Sequence, residues 1–297
     1  MATKKKAKRA QKTAERNKKK KKSSGLHDLF FPDFSKINFE EGLSKFIEEL
    51  SEEPLWQAQE IINDAWENDD PKERVSMAFK ALAVSPDCAD AYVTLAEDNS
   101  NLWEERLSYY TLGVAAGRRT IDDYYFEEEV GNFWGLGETR PYMRARLGLA
   151  ICLDEAEATD QAINHFSDML RLNPDDNQGV RHFLMAALLK NGDDGGVTEI
   201  LMSYSKDHSV EFTYVNALMS FKKFGISEKP KKHLKEAINF NQHVPGFLLG
   251  AKSIPEALPP YTTVGEEDEA AHFVEMFGNV WRDTPGALEW LKNETKG

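Results

Sequence analysis

Along most of the chain, apolar residues recur three and four positions apart, the period of an amphipathic helix and not of an alternating strand. Residues 55–68 predict a first helix. Asp70-Pro71 then marks a new start, with Asp70 as cap, Pro71 in the first turn and Glu73 placed to complete a capping box. Val75, Ala78, Phe79 and Leu82 form the stripe of that second helix, and Pro86 closes it. The pattern restarts over residues 89–96, and residues 102–117 supply a partner carrying Trp103, Leu107, Tyr110 and Val114 on one side. Further helices are predicted over residues 195–205 and 210–225, and around Leu234, Ala237 and Ile238, giving four to five helix pairs.

The clearest pair lies within residues 138–184. Leu149 and Ala150 precede Ala162 by about three turns. Phe166, Met169, Leu170 and Pro174 then follow Ala162 at offsets of 4, 7, 8 and 12. That series is the skeleton of the 34-residue tetratricopeptide helix–turn–helix repeat. Small residues at 150 and 162 let antiparallel helices approach, Phe166 fills the gap to the next pair, and Pro174 ends the second helix. The expected fold is all-α: a right-handed superhelical solenoid of degenerate tetratricopeptide-like helix pairs with helical caps at both ends.

Three stretches depart from the period. Residues 1–25 are low-complexity, rich in Lys, Arg, Ala, Gln and Ser without an aromatic residue, and are expected to stay disordered. Residues 26–54 read as an N-terminal helical cap, with Phe39, Leu43, Phe46, Ile47 and Leu50 at helical spacing. The repeats are expected over residues 55–244, interrupted at 118–137 by an insertion holding Tyr124, Tyr125, Phe126, Phe133 and Trp134. Residues 245–297 form the C-terminal cap: a proline-rich loop at 253–263, acids at 266–268 favoured by the helix dipole, and the stripe Ala270, Phe273, Val274, Phe277, Trp281. Thr284-Pro285 then starts a last helix with Leu288, Trp290 and Leu291.

Charge sharpens this division. The net charge is −13, yet residues 1–22 hold 12 of the 37 Lys and Arg and a single acid, Glu15. The remaining 275 residues carry 25 basic against 49 acidic groups, a net of −24. Such a body repels nucleic acid, while Lys4, Lys5, Lys6, Lys8, Arg9, Lys18, Lys19, Lys20, Lys21 and Lys22 form a tail suited to loose phosphate attraction without base readout. The bland alternative is a solubilising tail. Cys88 and Cys152 belong to no CxxC pair and read as buried free thiols. No run approaches the roughly 18 apolar residues of a membrane span and no apolar segment follows the basic start, so a cytoplasmic location is expected.

Chemistry is sparse. There is no GxxxxGK[ST], GxGxxG or HExxH, and the seven histidines are scattered. Asp175-Asp176-Asn177 would need a bidentate Glu at the twelfth loop position to hold calcium, and Ala186 stands there, so these acids read as a helix cap. Acid clusters at 124–130 and 266–269 lack a companion nucleophile. No catalytic residue, metal site or cofactor is assigned, and the chain is read as a non-enzyme.

Residues 85–92 (SPDCADAY), 138–146 (ETRPYMRAR), 171–179 (RLNPDDNQG), 244–250 (VPGFLLG) and 281–288 (WRDTPGAL), in that order, resemble the suppression-of-tumorigenicity-seven (ST-seven) family in a soluble, tetratricopeptide-like form. The resemblance implies a helical repeat protein without an assigned enzymatic activity, an interaction scaffold. It also implies a concave groove lined by the first helix of each pair: Arg144, Leu147, Ile151 and Asp154 in one, Gln178, Arg181, Met185 and Leu188 in the next, Asp90, Val93, Glu97 and Ser100 in an earlier one. With Arg140, Tyr142 and Arg146 added, this is the expected binding wall for a protein or peptide segment, its guanidiniums suited to carboxylates. The arginines are equally open to internal pairing with Glu127, Glu128, Glu129 and Glu138. Repeat domains that hold chaperone tails use Asn where Met185 stands, which argues against that partner. Nucleic-acid or ribosome association through the tail is the alternative function.

Overall fold

The computed structural model describes residues 53–100 and 102–295, all helix, turn and loop with no strand among them. The basic tail and nearly all of the expected N-terminal cap lie outside the described residues. The described chain falls into two compact units that divide after Pro86.

In the first unit, α1 (Pro54–Trp66) pairs with α2 (Pro71–Val84). Asp70 caps α2 as expected, its carboxylate accepting from the Lys72 amide at 3.0 Å. Glu73 does not close the box. Asn68 Oδ1 accepts from the Asp70 amide at 2.9 Å, so the place is taken from the preceding turn. Ala78 and Ala81 are fully buried while Phe79 is half exposed, which shifts the buried stripe by about one residue from the expected one.

The second unit is a run of helix pairs: α3 (Ala89–Asp98) with α4 (Trp103–Thr120), α6 (Arg140–Glu155) with α7 (Thr159–Leu172), α8 (Val180–Lys190) with α9 (Asp194–Ser203), and α10 (Val210–Phe224) with α11 (Glu228–Phe240). Each pair also packs on the next, α4 on α6, α7 on α8 and α9 on α10, as a solenoid requires. The insertion contributes α5 (Asp123–Glu128) and two 3₁₀ turns, Phe133–Gly135 and Gly137–Thr139. Phe133 is fully buried, Phe126 lies 4.9 Å from its ring and 5.6 Å edge-on from Tyr142, and Arg118 covers Phe126 at 4.3 Å. The Gly131 amide donates to the Leu172 carbonyl at 2.9 Å, so the insertion is tied to the end of α7.

The C-terminal region is more than an end cap. After the short α12 (Val244–Leu248) and the proline-rich loop, α13 (Glu267–Asp283) packs on both α8 and α10, the first helices of two successive pairs. Phe273, Phe277 and Trp281 are fully buried, and the Tyr214 ring of α10 lies 5.3 Å from Phe273 and 6.2 Å from Trp281. The last helix, α14, spans Ala287–Glu294. It begins after Gly286 in the left-handed region (φ 80°), two residues later than Thr284-Pro285 suggested. Trp290 stacks on Phe221 at 4.6 Å and runs parallel to Trp281 at 6.4 Å.

Close approach is most demanding between α4 and α6. A Cβ on Gly117 would sit 2.9 Å from the Tyr142 Cα and Cβ, and one on Gly148 2.1 Å from the Tyr110 ring. Gly117→Val therefore forces the two backbones apart, and is expected to cost about 1–3 kcal/mol by overpacking. Gly137→Val, where an added Cβ meets nothing within 4 Å, is the matched control. Chemical denaturation of the two variants checks this: equal midpoints for both would mean that the α4–α6 contact is not close.

Candidate functional site

Three arginine clusters hold the first helices in place, and each begins with a feature of the local sequence. Asp90 lies in the first turn of α3 and is fully buried. Arg144 of α6 reaches it with a two-pronged contact, Nε to Oδ1 at 2.8 Å and Nη2 to Oδ2 at 2.5 Å, which joins consecutive first helices. Two residues on, and so on the other side of the helix, Arg146 turns to α7. It is almost buried, donates through Nη1 to Asp168 at 2.6 Å and through Nε to His165 Nδ1 at 3.2 Å, and Arg171 holds the other Asp168 oxygen at 2.7 Å. Burial first and then the neighbouring Arg146 charge lower the His165 pKa, and the Arg146 Nε donor fixes Nδ1 as the acceptor. For Asp168 burial opposes ionisation, but the bonds from Arg171 and Arg146 outweigh it and hold the carboxyl below its usual range.

The third cluster surrounds the start of α8. Asp176 takes a left-handed conformation (φ 49°) and its carboxylate accepts from the amides of Val180 at 2.7 Å and Arg181 at 3.0 Å. The acidic run at 175–177 is thus a cap. Arg181 spans Asp176 (Nη1, 2.7 Å) and Asp207 (Nε, 2.7 Å), the latter just before α10. Burial pushes the Asp207 pKa up, but the Ser209 amide and hydroxyl with Arg181 more than offset it and hold the carboxyl at about 2.

These contacts relocate the residues expected on the binding wall. Tyr142 and Met185 are buried in the core, so neither side chain faces a partner. Arg144, Arg146 and Arg181 are engaged with aspartates, and Arg140 donates to the Trp134 carbonyl at 2.9 Å and lies 5.7 Å from that ring. Gln178 precedes α8, and its Oε1 is buried without a hydrogen-bond partner. The acceptors differ from those expected: Asp90, Asp168, Asp176 and Asp207 hold the arginines, while Glu138 accepts from the Tyr125 hydroxyl at 2.7 Å. That bond, then burial, pushes the Tyr125 pKa up to about 12. The short Asp side chain beside a helix start was the available sequence signal, because an acid there serves both the amides and a neighbouring cation.

What remains open on the wall is a cleft of about 330 Å³ between α6, α8 and α13. Ile151, Phe166, Phe183 and Ala186 form its floor, His272 and Met276 its far side, and Asp154, Glu155 and Glu275 its acidic rim. Ile151 and Asp154 stand among the expected groove residues; the contribution of α13 was not foreseen, since nothing in its stripe says which helices it will cover. Among the described residues no group of three or more His, Cys, Asp or Glu is placed to hold a metal ion, and no helix is long and apolar enough to cross a membrane.

Asp207 gives a pH signature. Its folded pKa lies below the ordinary carboxylate value of about 3.9, so its stabilisation is complete above that value and is lost as pH falls towards 2. Asp207→Asn is expected to cost about 1–3 kcal/mol at pH 7. It should also flatten the decline in stability between about pH 4 and pH 2. Denaturation midpoints across that range test it, and parallel curves for variant and wild type would count against the assignment.

The chain has relatives. The family described as ST7 protein matches residues 43–297. Protein ST7 homolog of Caenorhabditis elegans is 24% identical over 270 residues, covering 78% of this chain and 49% of that protein. Suppressor of tumorigenicity 7 protein-like of Gallus gallus is 24% identical over 257 residues, covering 78% and 45%. The chain thus spans about half the length of the curated relatives it matches. Among solved structures, the crystal structure of YrrB, described as a TPR protein with an unusual peptide-binding site, aligns with a TM-score of 0.46 and 16% identity over 66% of this chain and 90% of that one. With its signature running from residue 43 to the C-terminal residue, the chain belongs to the ST7 protein family.

Proposed function

We propose that the protein is a non-catalytic scaffold that holds a segment of another protein against the wall formed by the first helices α3, α6 and α8. The observation that carries this reading is the state of that wall. Its arginines are fixed by internal aspartates, so its shape is set before any partner arrives, and a cleft with an apolar floor stays open within it. The packing of α13 on α8 and α10 supports this reading, since it is itself a helix laid across first helices. Arg144 and Arg181, each partly exposed, act in this reading as rigid posts flanking the bound segment, with Arg140, Arg146 and Gln178 as their supports. The buried thiols of Cys88 and Cys152 suit action in the reducing cytoplasm.

A photo-crosslinking side chain at position 276, on the cleft, is expected to capture a protein partner from native lysate. The same group at Met202, which is 71% exposed on α9 away from the cleft, should not. Capture at 202 and none at 276 would overturn the wall as the binding face.

The second reading, nucleic-acid or ribosome association through residues 4–22, is favoured by the concentration of 12 cationic residues in the first 22. Under it, removing the first 24 residues abolishes binding to RNA. The binding constant of the full chain should fall steeply with salt, with a log–log slope of roughly −0.7 per phosphate neutralised. Binding that survives the deletion, or ignores salt, rejects it.

A further inference from the structure

The cleft between α6, α8 and α13 has a polarity that narrows its occupant. Its floor is apolar and its volume, about 330 Å³, lies at the small end of ligand sites, room for one or two bulky side chains. Its rim carries three carboxylates, Asp154, Glu155 and Glu275. Two of these already have cations: Lys190 lies 3.3 Å from Asp154, and Arg106 pairs with Glu155. Both pairs are solvated at the surface, with side chains between about a third and a half exposed, so they contribute little and exchange readily for an incoming cation. Glu275 is exposed on α13 and has no ionic partner among the described residues.

The acidic character continues beyond the rim. Glu97 of α3 and Glu155 of α6 both act on the Tyr110 hydroxyl, whose pKa is raised first by burial and then by those charges. Carboxylates therefore extend from α3 across the end of α6 to α13, in a body of net charge −24. An acidic segment would meet repulsion throughout its approach, whereas a cationic one is steered in and finds an apolar floor at the end.

Resting on the scaffold reading, we propose that the cleft binds a short basic segment of a partner protein: an apolar anchor residue that fills the floor over Ile151, Phe166 and Phe183, flanked by lysine or arginine that pair with Glu155 and Glu275. The anchor supplies most of the affinity by burying apolar surface, and the flanking cations set the choice of partner. Met276, at the edge of the floor and 36% exposed, is the contact through which α13 reads the anchor.

The test uses the full chain and two fluorescent hexapeptides, Lys-Lys-Leu-Phe-Lys-Lys and its serine-flanked counterpart Ser-Ser-Leu-Phe-Ser-Ser, followed by anisotropy. The basic peptide should bind, and the serine-flanked one about tenfold or more weakly, a difference of ~1.4 kcal/mol. The double variant Glu155→Lys with Glu275→Lys should abolish that preference. Met276→Asp should weaken both peptides. All three substitutions lie on exposed positions, and circular dichroism confirms that the helices persist. If the serine-flanked peptide binds as tightly as the basic one and Met276→Asp weakens both, the basic-segment inference is overturned and the scaffold reading stands. If neither peptide binds at about 1 mM, or if Met276→Asp changes nothing, both the inference and the cleft's place in the scaffold reading fall.

Discussion

Everything on the wall depends on how closely α4 and α6 approach, because α6 carries three of the arginines and, in Ile151, Asp154 and Glu155, three of the residues that line the cleft. Gly117 against the Tyr142 backbone and Gly148 beneath the Tyr110 ring allow that approach, and the small Ala145, fully buried, completes the seam. A helix seated this deeply has little freedom to rotate. Rotation of α6 would swing Arg144 away from Asp90 and Arg146 away from Asp168 together, since both lie on the same helix two residues apart. Packing therefore sets the angle, and the charge pairs make only that angle comfortable.

The pairs themselves are weak evidence for stability. Burying Asp90 and Asp176 costs solvation that their arginines recover only because the geometry is two-pronged or supplemented by backbone amides. What they provide is specificity of register. Each joins a first helix to its own partner or to the next first helix: α6 to α7, α3 to α6, and α8 to the entry of α10. A wall assembled in this way presents its apolar cleft in one arrangement, which lowers the ordering cost of holding a flexible segment.

Much of the architecture was legible in the sequence. The Ala162–Pro174 offsets, the proline stops and the small residues at helix contacts placed the pairs, because local spacing alone decides which face of a helix is apolar. The capping role of Asp176 was equally readable from the missing twelfth ligand. The site was less so. The arginines stood out as a surplus of positive charge, yet their partners Asp90 and Asp207 lie 54 and 26 residues away in sequence, and nothing local announces a bond across that distance. Met185 fell on an expected groove position by counting, but α8 begins at Val180, so a register counted from Asn177 turns Met185 inward; Tyr142, added to the counted set, is likewise buried. Glu129 and Glu138, at the aromatic insertion and nearer in sequence, accept from tyrosines instead.

The placement of α13 has a consequence for how the molecule comes into being. In an ordinary stacked array each pair touches only its neighbours, so the chain can become native piece by piece as it is synthesised. Here the inner faces of α8 and α10 are completed by residues near the far end of the chain, with Tyr214 waiting for Phe273 and Trp281. Until those last helices emerge, a nascent chain carries a bare aromatic surface, and closing it is a late, long-range step in a fold otherwise dominated by local contacts.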